Sequence, residues 1–264
     1  MTAPRSFDTL LIDKMGSIAQ ITINRPDVLN ALNRPTITDL AAAMEAFRAD
    51  DSIRGIILTG SGDKAFAAGS DILELSQLTE FEAKAMARQG QALTDLIENL
   101  GKPVIAALNG YAIGGGCELA LACTMRVAAE HARLSQPEVR VGLIPGFGGT
   151  QRLPRLIGKG RALQMILSGD MTDAQEAWRI GLVDEIVPKD RLLDRAEAIL
   201  LTIASNAPLA VRLSLEAVNN GMEMTQAQGL QLEAALFALA VSTADQKEGT
   251  AAFLERRKPH FTGQ

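Results

Sequence analysis

The sequence predicts an α/β protein with a helical C-terminal region, and three observations favour this class. Short apolar runs alternate with longer amphipathic stretches up to about residue 200, which is typical of strands alternating with helices. Beyond Asp190 every stretch has helical spacing. The 264 residues are 47% hydrophobic and 22% charged, as in a packed globular core. We therefore expect a core over residues 1–200 that holds the functional site, and a helical region over residues 201–264.

The N-terminal part begins with a predicted hairpin. Residues 9–13 and 18–23 are rich in Leu, Ile and Thr, and the turn-like residues 14–17 join them. Asn33 and Pro35 then mark the start of a helix, the first as a cap and the second within the first turn. The predicted apolar face of this helix comprises Leu40, Met44 and Phe47.

The middle of the chain alternates predicted strands with predicted helices. Strands are expected at residues 53–59, 104–108, 124–129 and 183–187. Helices are expected at residues 79–100, from 119, from Ser135, and in three pieces at 150–156, 161–167 and 172–178, split by Gly158, Gly160 and Gly169. Because this alternation lacks the sequence motifs of known repeat proteins, it indicates an α/β core and not a solenoid.

Charge and patterning argue against several classes of partner. The net charge of −5 disfavours non-specific binding to nucleic acid. No apolar run approaches the roughly 20 residues that a membrane-spanning helix needs. Residues 1–7 have neither the apolar segment of a signal peptide nor an Arg-rich presequence. The expectation is a cytoplasmic protein without a nucleic-acid or membrane partner.

Cysteine and histidine usage argues against metal and nucleophilic chemistry. Cys117 and Cys123 form no CxxC motif, which indicates a reducing compartment and side chains that pack rather than react. The two histidines, His131 and His260, are too few for a convincing metal cluster or Ser-His-Asp triad. No metal site is predicted.

Two strand-to-helix turns carry the strongest chemical signal. Residues 68–70, Ala-Gly-Ser, and residues 114–116, Gly-Gly-Gly, each follow a predicted buried strand. Each turn can present backbone N–H groups, and two such donors converging on one carbonyl oxygen form an oxyanion hole. The alternative is that the glycines serve only close packing of helix on strand. Nucleotide-phosphate binding is disfavoured, because the second turn lacks a GxGxxG pattern and the chain lacks GxxxxGK[ST].

Two glutamates stand close to predicted helix starts. Glu118 directly follows the second glycine turn, and Glu138 follows Gln136-Pro137. Either carboxylate could serve only as a favourable partner of a helix dipole. Both have apolar neighbours, however, and such surroundings should raise their pKa values towards neutral pH. Two such carboxylates facing one pocket could hold a water molecule and transfer protons in both directions.

Longer motifs show a resemblance to a known family. They are Asn24-Arg-Pro26 with Leu29-Asn-Ala-Leu32, residues 65–72 (AFAAGSDI), residues 102–107 (KPVIAA), residues 110–119 (GYAIGGGCEL), Gln136-Pro-Glu138, residues 142–153 (GLIPGFGGTQRL) and residues 253–258 (FLERRK). Over nearly its whole length the sequence resembles the enoyl-CoA hydratase family, also called the crotonase superfamily. The resemblance implies a spiral of ββα units followed by C-terminal helices that build trimers, commonly paired into hexamers.

The resemblance also implies roles for individual residues. The N–H groups of Ser70 and Gly115 would hold the thioester carbonyl of an acyl-CoA, and Ser70 stands where alanine is commoner, which leaves a backbone donor intact. Glu118 and Glu138 match the two catalytic glutamates, the first activating water for attack at C3 and the second supplying a proton at C2. The other substrate-binding positions that it implies are Arg25, Leu29, Ala68, Asp71, Ile72, Gly146, Phe253 and Arg256, with Arg256 serving a neighbouring subunit's ligand. Lysine is common in the family at the positions of Asp27 and Leu73, so Arg25 and Arg256 are the basic candidates that remain.

The implied activity is that of an enoyl-CoA hydratase, a hydro-lyase that adds water reversibly and in syn geometry to a trans-2-enoyl-CoA, giving a 3-hydroxyacyl-CoA. No metal or redox cofactor is implied, since coenzyme A is part of the substrate. The alternatives are an enoyl-CoA isomerase or another acyl-CoA lyase of the same fold, and, outside enzymes, a non-catalytic or RNA-binding relative. The presence of both glutamates favours hydration. The expected partners are an acyl-CoA thioester and further copies of the chain, in a homotrimer or homohexamer.

Overall fold

The central layer of the protein is a six-stranded sheet, seen in a computed structural model that describes residues 7–264. The strands are β1 (Leu10–Met15), β2 (Ile18–Ile23), β3 (Gly55–Gly60), β4 (Ala65–Ala67), β5 (Val104–Leu108), β6 (Tyr111–Ile113), β7 (Met125–Ala129), β8 (Arg133–Ser135), β9 (Thr172–Asp173) and β10 (Glu185–Val187). The large sheet has the order β1-β2-β3-β5-β7-β10, and only the predicted β1–β2 hairpin is antiparallel within it. The prediction that the chain lacks a leader segment rests on residues 1–7, of which 1–6 lie outside the described part.

Helices follow the strands in a repeated order. They are α1 (Arg34–Ala49), α2 (Ile72–Leu75), α3 (Glu80–Glu98), α4 (Gly115–Leu121), α5 (Gly149–Ile157), α6 (Lys159–Ser168), α7 (Ala174–Arg179), α8 (Leu192–Ala204), α9 (Pro208–Gly221), α10 (Gln226–Val241) and α11 (Ala244–Glu255). Strands β3, β5 and β7 enter the large sheet, and β4, β6 and β8 enter a second sheet of order β4-β6-β8-β9. Each unit therefore adds one strand to each sheet before its helices, and this ββα repeat confirms the predicted fold class.

The inner strands β3 and β5 are buried on both faces, as is usual for parallel strands. Ile56 of β3 faces the main core, whereas the next residue, Ile57, faces a second apolar cluster. Helix α8 covers that second face with Leu192, Ala196 and Leu200, which recur at one-turn spacing. The helix thus belongs to the sheet packing and crosses residue 200, so the helices that lie beyond the sheet begin with α9.

Three local predictions are wrong in detail. No α-helix begins at Ser135, which ends β8 and pairs with β6; one 3-10 turn, Glu138–Val141, follows and stops at Gly142, whose φ is 76°. The segment predicted as helical from residue 172 begins with β9, which pairs antiparallel with β8. Gly160 lies inside α6 and does not separate two helices. In the first two cases sheet pairing, which a local pattern does not reveal, holds the residues extended.

A membrane-spanning helix is not found among residues 7–264, where no single helix is both long and apolar enough. The segments Lys189–Ala204 and Pro208–Gly221 meet the length and composition criteria only when taken together, and they are bent by 106°.

Candidate active site

The two glycine turns predicted from the sequence lie against each other. A β-carbon added to Gly116 would overlap the carbonyl oxygen of Ala67, and one added to Gly115 would stand 3.4 Å from Oγ of Ser70. Within residues 7–264, the N–H groups of Ser70 and Gly115 donate to no protein acceptor. Close packing and donor presentation, the two alternatives left open by the sequence, therefore both apply: Gly116 permits the contact, and the neighbouring amides remain available as donors.

Gly114 holds the second turn in a conformation that favours glycine. Its φ of 52° and ψ of −123° place it in a region that residues with a β-carbon rarely adopt. Its N–H donates to the carbonyl oxygen of Ser135 (2.8 Å), and its own carbonyl oxygen accepts from the N–H of Glu118 (2.9 Å). A β-carbon at Gly114 would stand 2.9 Å from Oε1 of Glu138. The turn therefore connects both glutamates to the same short piece of backbone.

Glu118 lies in the first turn of α4, and it is a buried carboxylate held by a loop. Its side chain is only 2% exposed, and Oε1 accepts hydrogen bonds from the N–H groups of Phe147 (2.8 Å) and Gly149 (2.7 Å). Burial raises the pKa of Glu118 above its ordinary value, while the hydrogen bonds from Gly149, Phe147 and Gly146 oppose that rise. The carboxylate is thus fixed in position, and its pKa is raised from the ordinary value.

Glu138 begins the 3-10 turn and is half-buried. Its Oε2 is shielded from solvent, and this atom has no hydrogen-bond partner in the described part of the chain. Burial, followed by the nearby charge of Glu118, raises the pKa of Glu138 to about 7. A carboxyl group with this pKa can exchange protons near neutral pH, which is the property required of a general acid or base.

A polar cluster that the sequence analysis did not identify anchors the loop beneath Glu118. The hydroxyl of Thr94 on α3 donates to the carbonyl oxygen of Phe147 (2.8 Å). Arg152 donates to the Thr94 hydroxyl (3.0 Å) and forms ion pairs with Asp95 (2.6 Å) and Glu98 (2.7 Å). Thr94 is fully buried beside the apolar residues of α3, and a polar residue on an otherwise apolar helix face is the signal that could have marked it.

Five of the remaining predicted positions lie beside the Ser70 turn. The N–H of Ala68 donates to the carbonyl oxygen of Leu29 (3.0 Å), and Asp71 forms an ion pair with Arg25 (3.3 Å). Leu29 has a φ of 53°, and Ile72, the first residue of α2, is 61% exposed. The charge of Arg25 is therefore balanced by Asp71 within the same chain.

The last three predicted positions are separated by the structure. Gly146 lies in the loop that holds Glu118, and its carbonyl oxygen accepts from Nε2 of Gln91 (3.0 Å). Phe253 lies on α11 and is 83% exposed, and Arg256 caps the end of that helix with a φ of 55°. No hydrogen bond or ion pair within residues 7–264 joins Arg256 to either glutamate.

The two cysteines are buried, as the sequence indicates. Burial raises the pKa of the Cys117 and Cys123 thiols to about 12, so both are neutral packing groups near neutral pH. Over the described chain, no group of three or more His, Cys, Asp or Glu side chains is arranged to hold a metal ion.

Replacing Glu138 with glutamine is expected to raise the unfolding temperature at about pH 8 and to leave it nearly unchanged at about pH 4. The pKa of Glu138 is about 7 in the fold against an ordinary 4.5, so the folded protein binds this proton more tightly than the unfolded chain does. The stability that this group contributes is complete below the unfolded pKa and declines as the pH rises towards the folded pKa. Glutamine stays neutral and removes that decline. Thermal unfolding of both proteins, followed by circular dichroism, checks the result, and equal shifts at the two pH values would contradict it.

Comparisons with known proteins agree with this fold. A sequence model of the family described as enoyl-CoA hydratase/isomerase matches residues 13–264. A crotonyl-CoA hydratase of Syntrophomonas wolfei is 46% identical over 97% of this chain and 98% of the relative, and a short-chain-enoyl-CoA hydratase of Clostridium acetobutylicum is 44% identical over 95% and 96%. The crystal structure of an enoyl-CoA hydratase from Bacillus anthracis superimposes with a TM-score of 0.94 at 40% identity, covering 97% of this chain and all of that one. The chain therefore belongs to the enoyl-CoA hydratase/isomerase family.

Proposed function

We propose that this protein is an enoyl-CoA hydratase, a hydro-lyase that adds water reversibly and in syn geometry to trans-2-enoyl-CoA to give 3-hydroxyacyl-CoA. The observation that carries the proposal is the pairing of Glu118 and Glu138, two carboxyl groups with raised pKa values, around a turn that presents the Gly115 amide. The relatives named crotonyl-CoA hydratase and short-chain-enoyl-CoA hydratase support the same substrate class.

The two amides supply the electrostatic part of the reaction. The N–H groups of Ser70 and Gly115 hold the thioester carbonyl. The polarised carbonyl withdraws electrons from the double bond and makes C3 electrophilic, so that water can attack it. Negative charge moves onto the carbonyl oxygen as the enolate forms, and the fixed donors stabilise that charge without reorganising. Loss of one such donor typically costs about 10²–10³ in rate.

The different surroundings of the two glutamates support different roles. Glu118 accepts two backbone hydrogen bonds, which favour its charged form, so it serves as the base that activates water for attack at C3. Glu138 has a buried oxygen without a partner and a pKa of about 7, so it holds the proton that is delivered to C2. The roles reverse in dehydration. The chemistry uses only these protein groups and the substrate, so no metal or redox cofactor is part of the proposal.

The residues beside the Ser70 turn and the exposed end of the chain complete the proposed substrate site. Arg25, Leu29, Ala68, Asp71, Ile72 and Gly146 line the thioester and its approach within one subunit. Phe253 and Arg256 are assigned to the site of a neighbouring subunit, because both lie exposed beyond the sheet. We place the protein in the cytoplasm, where acyl-CoA thioesters are available.

The helical region is proposed to mediate assembly. We divide the chain into a site-bearing core, residues 1–200, and an oligomerisation region, residues 201–264, of which residues 201–204 complete α8 against the sheet. Large apolar side chains in the latter are unusually exposed in the single chain, among them Val218 (64%), Met222 (68%), Phe237 (70%) and Leu254 (80%). Such surfaces are normally covered by a partner, and a homotrimer, or a hexamer of two trimers, would cover them.

Purified protein is expected to hydrate crotonyl-CoA. The absorbance of the conjugated thioester should fall with time, and mass spectrometry should show a product heavier by one water molecule. A 3-enoyl-CoA of equal length tests the isomerase alternative, since the family includes isomerases. Conversion of the 3-enoyl compound without hydration of crotonyl-CoA would overturn the proposed activity in favour of isomerisation.

A further inference from the structure

The aromatic ring of Phe147 fills the space between the Gly115 turn and helix α3. On one edge, ring atoms Cε2 and Cδ2 lie 3.2 Å and 3.3 Å from the position that a β-carbon of Gly115 would occupy. On the opposite edge, a β-carbon added to Gly90 of α3 would overlap Cδ1, Cγ and Cε1. The side chain is only 6% exposed. The ring therefore spans the full distance from the candidate site to the helix behind it.

The backbone of Phe147 is held on both sides by hydrogen bonds. Its N–H donates to Oε1 of Glu118 (2.8 Å), and its carbonyl oxygen accepts from the hydroxyl of Thr94 (2.8 Å). Thr94 is fully buried on α3, the helix whose Gly90 contacts the ring. A backbone shift at Phe147 would move a hydrogen-bond partner of the Glu118 carboxylate. Packing against Gly90 and Gly115 opposes rotation of the ring, which therefore forms a fixed wall.

The position of this wall limits the substrate, and this step rests on the proposed function. A thioester carbonyl at the Gly115 amide and a C3 atom within reach of Glu118 direct the acyl chain towards the loop that holds Glu118. The ring of Phe147 lies between that loop and α3. Carbon atoms added beyond a crotonyl group then meet a filled volume, and accommodating them requires the ring to leave its contact with Gly90.

We propose that Phe147 determines the acyl chain length, and that it restricts the site to short-chain enoyl-CoA thioesters. Gly90 is its partner in this role, because only a residue without a β-carbon leaves room for the ring against α3. Replacing Phe147 with alanine removes the ring and opens a channel between Gly115 and Gly90. A large side chain at position 90 then fills this channel again. Phe147 is thus a specificity-determining residue whose backbone also positions Glu118.

The test compares kcat/KM for trans-2-decenoyl-CoA with kcat/KM for crotonyl-CoA. In Phe147→Ala, kcat/KM for trans-2-decenoyl-CoA divided by kcat/KM for crotonyl-CoA is expected to rise at least about 10-fold. Each methylene group that gains or loses a hydrophobic pocket changes the discrimination between two substrates by about this factor. The double variant Phe147→Ala, Gly90→Leu should return the ratio towards that of the unmodified protein. An unchanged ratio in a folded Phe147→Ala protein would overturn the proposal. If Phe147→Ala does not fold, the same ratio is measured for Phe147→Leu, and an unchanged ratio there would overturn the proposal.

Two controls separate this effect from general damage and from failure of the proposed activity. Phe47 on α1 is buried to a similar extent, 5% exposed, so Phe47→Ala removes an equal ring from the core and should leave the ratio unchanged. Calorimetric binding of the saturated analogues butyryl-CoA and decanoyl-CoA needs no turnover. Phe147→Ala should strengthen the binding of decanoyl-CoA relative to butyryl-CoA at least about 10-fold. Absence of this shift would contradict the chain-length role, whereas absence of crotonyl-CoA hydration would contradict only the proposed activity.

Discussion

Replacing either Glu118 or Glu138 with glutamine is expected to slow the hydration of crotonyl-CoA by at least about 10²-fold in kcat. Glutamine has nearly the same shape as glutamate, and its Oε1 can still accept the hydrogen bonds that Phe147 and Gly149 donate to Glu118. The loop geometry should survive while the capacity to carry a proton is lost. Steady-state kinetics with crotonyl-CoA measure the effect, and KM should change far less than kcat because the Ser70 and Gly115 amides remain.

The comparison needs a glutamate that has no part in the chemistry. Glu45 on α1 is exposed and forms a surface ion pair with Arg48, so Glu45→Gln should retain full activity. Circular dichroism of each variant establishes that the fold is intact. Full activity of either Glu118→Gln or Glu138→Gln would rule out a mechanism with two proton carriers.

Changing Gly114 to alanine is expected to lower kcat/KM by about 10²-fold, although the residue supplies no side chain. The new β-carbon would stand 2.9 Å from Oε1 of Glu138, so the carboxyl group must shift. The backbone at φ 52° and ψ −123° would also become strained, and relaxing it would move the neighbouring Gly115 amide. Misplacement of catalytic groups by about 1 Å is enough for a loss of this size.

Gly158 offers a matched control for the strain itself. Its φ is 82°, and a β-carbon there would meet no atom of residues 7–264 within 4 Å. Gly158→Ala should therefore lower the unfolding temperature through backbone strain while leaving kcat/KM for crotonyl-CoA close to that of the unmodified protein. Equal loss of activity in the two glycine variants would mean that strain alone accounts for the Gly114 result.

Long apolar segments explain why much of the large sheet could be predicted. The runs that became β3 and β5 contain consecutive Ile, Val, Leu or Ala residues that indicate burial. The predicted cap at Asn33 and the helix predicted from residue 79 mark real helix starts. The residue pattern did not indicate the second sheet. Its strands have two or three residues each, too short for any periodicity, and only their pairing partners hold them extended.

The residues alone were enough to predict the family, the alternation of strands and helices, and the two glycine turns with their glutamates. These follow from local properties, because apolar periodicity, chain punctuation and residue type act over a few neighbours. The tertiary structure alone decided that the turns touch, that Gly114 lies under Glu138, and that Phe147 links Gly115 to Gly90. The raised pKa values of the two glutamates were predicted from their apolar neighbours, but the causes of the shifts needed the tertiary structure as well. Burial and the approach of a second charge arise only when segments distant in sequence pack together, and no local pattern specifies their separation.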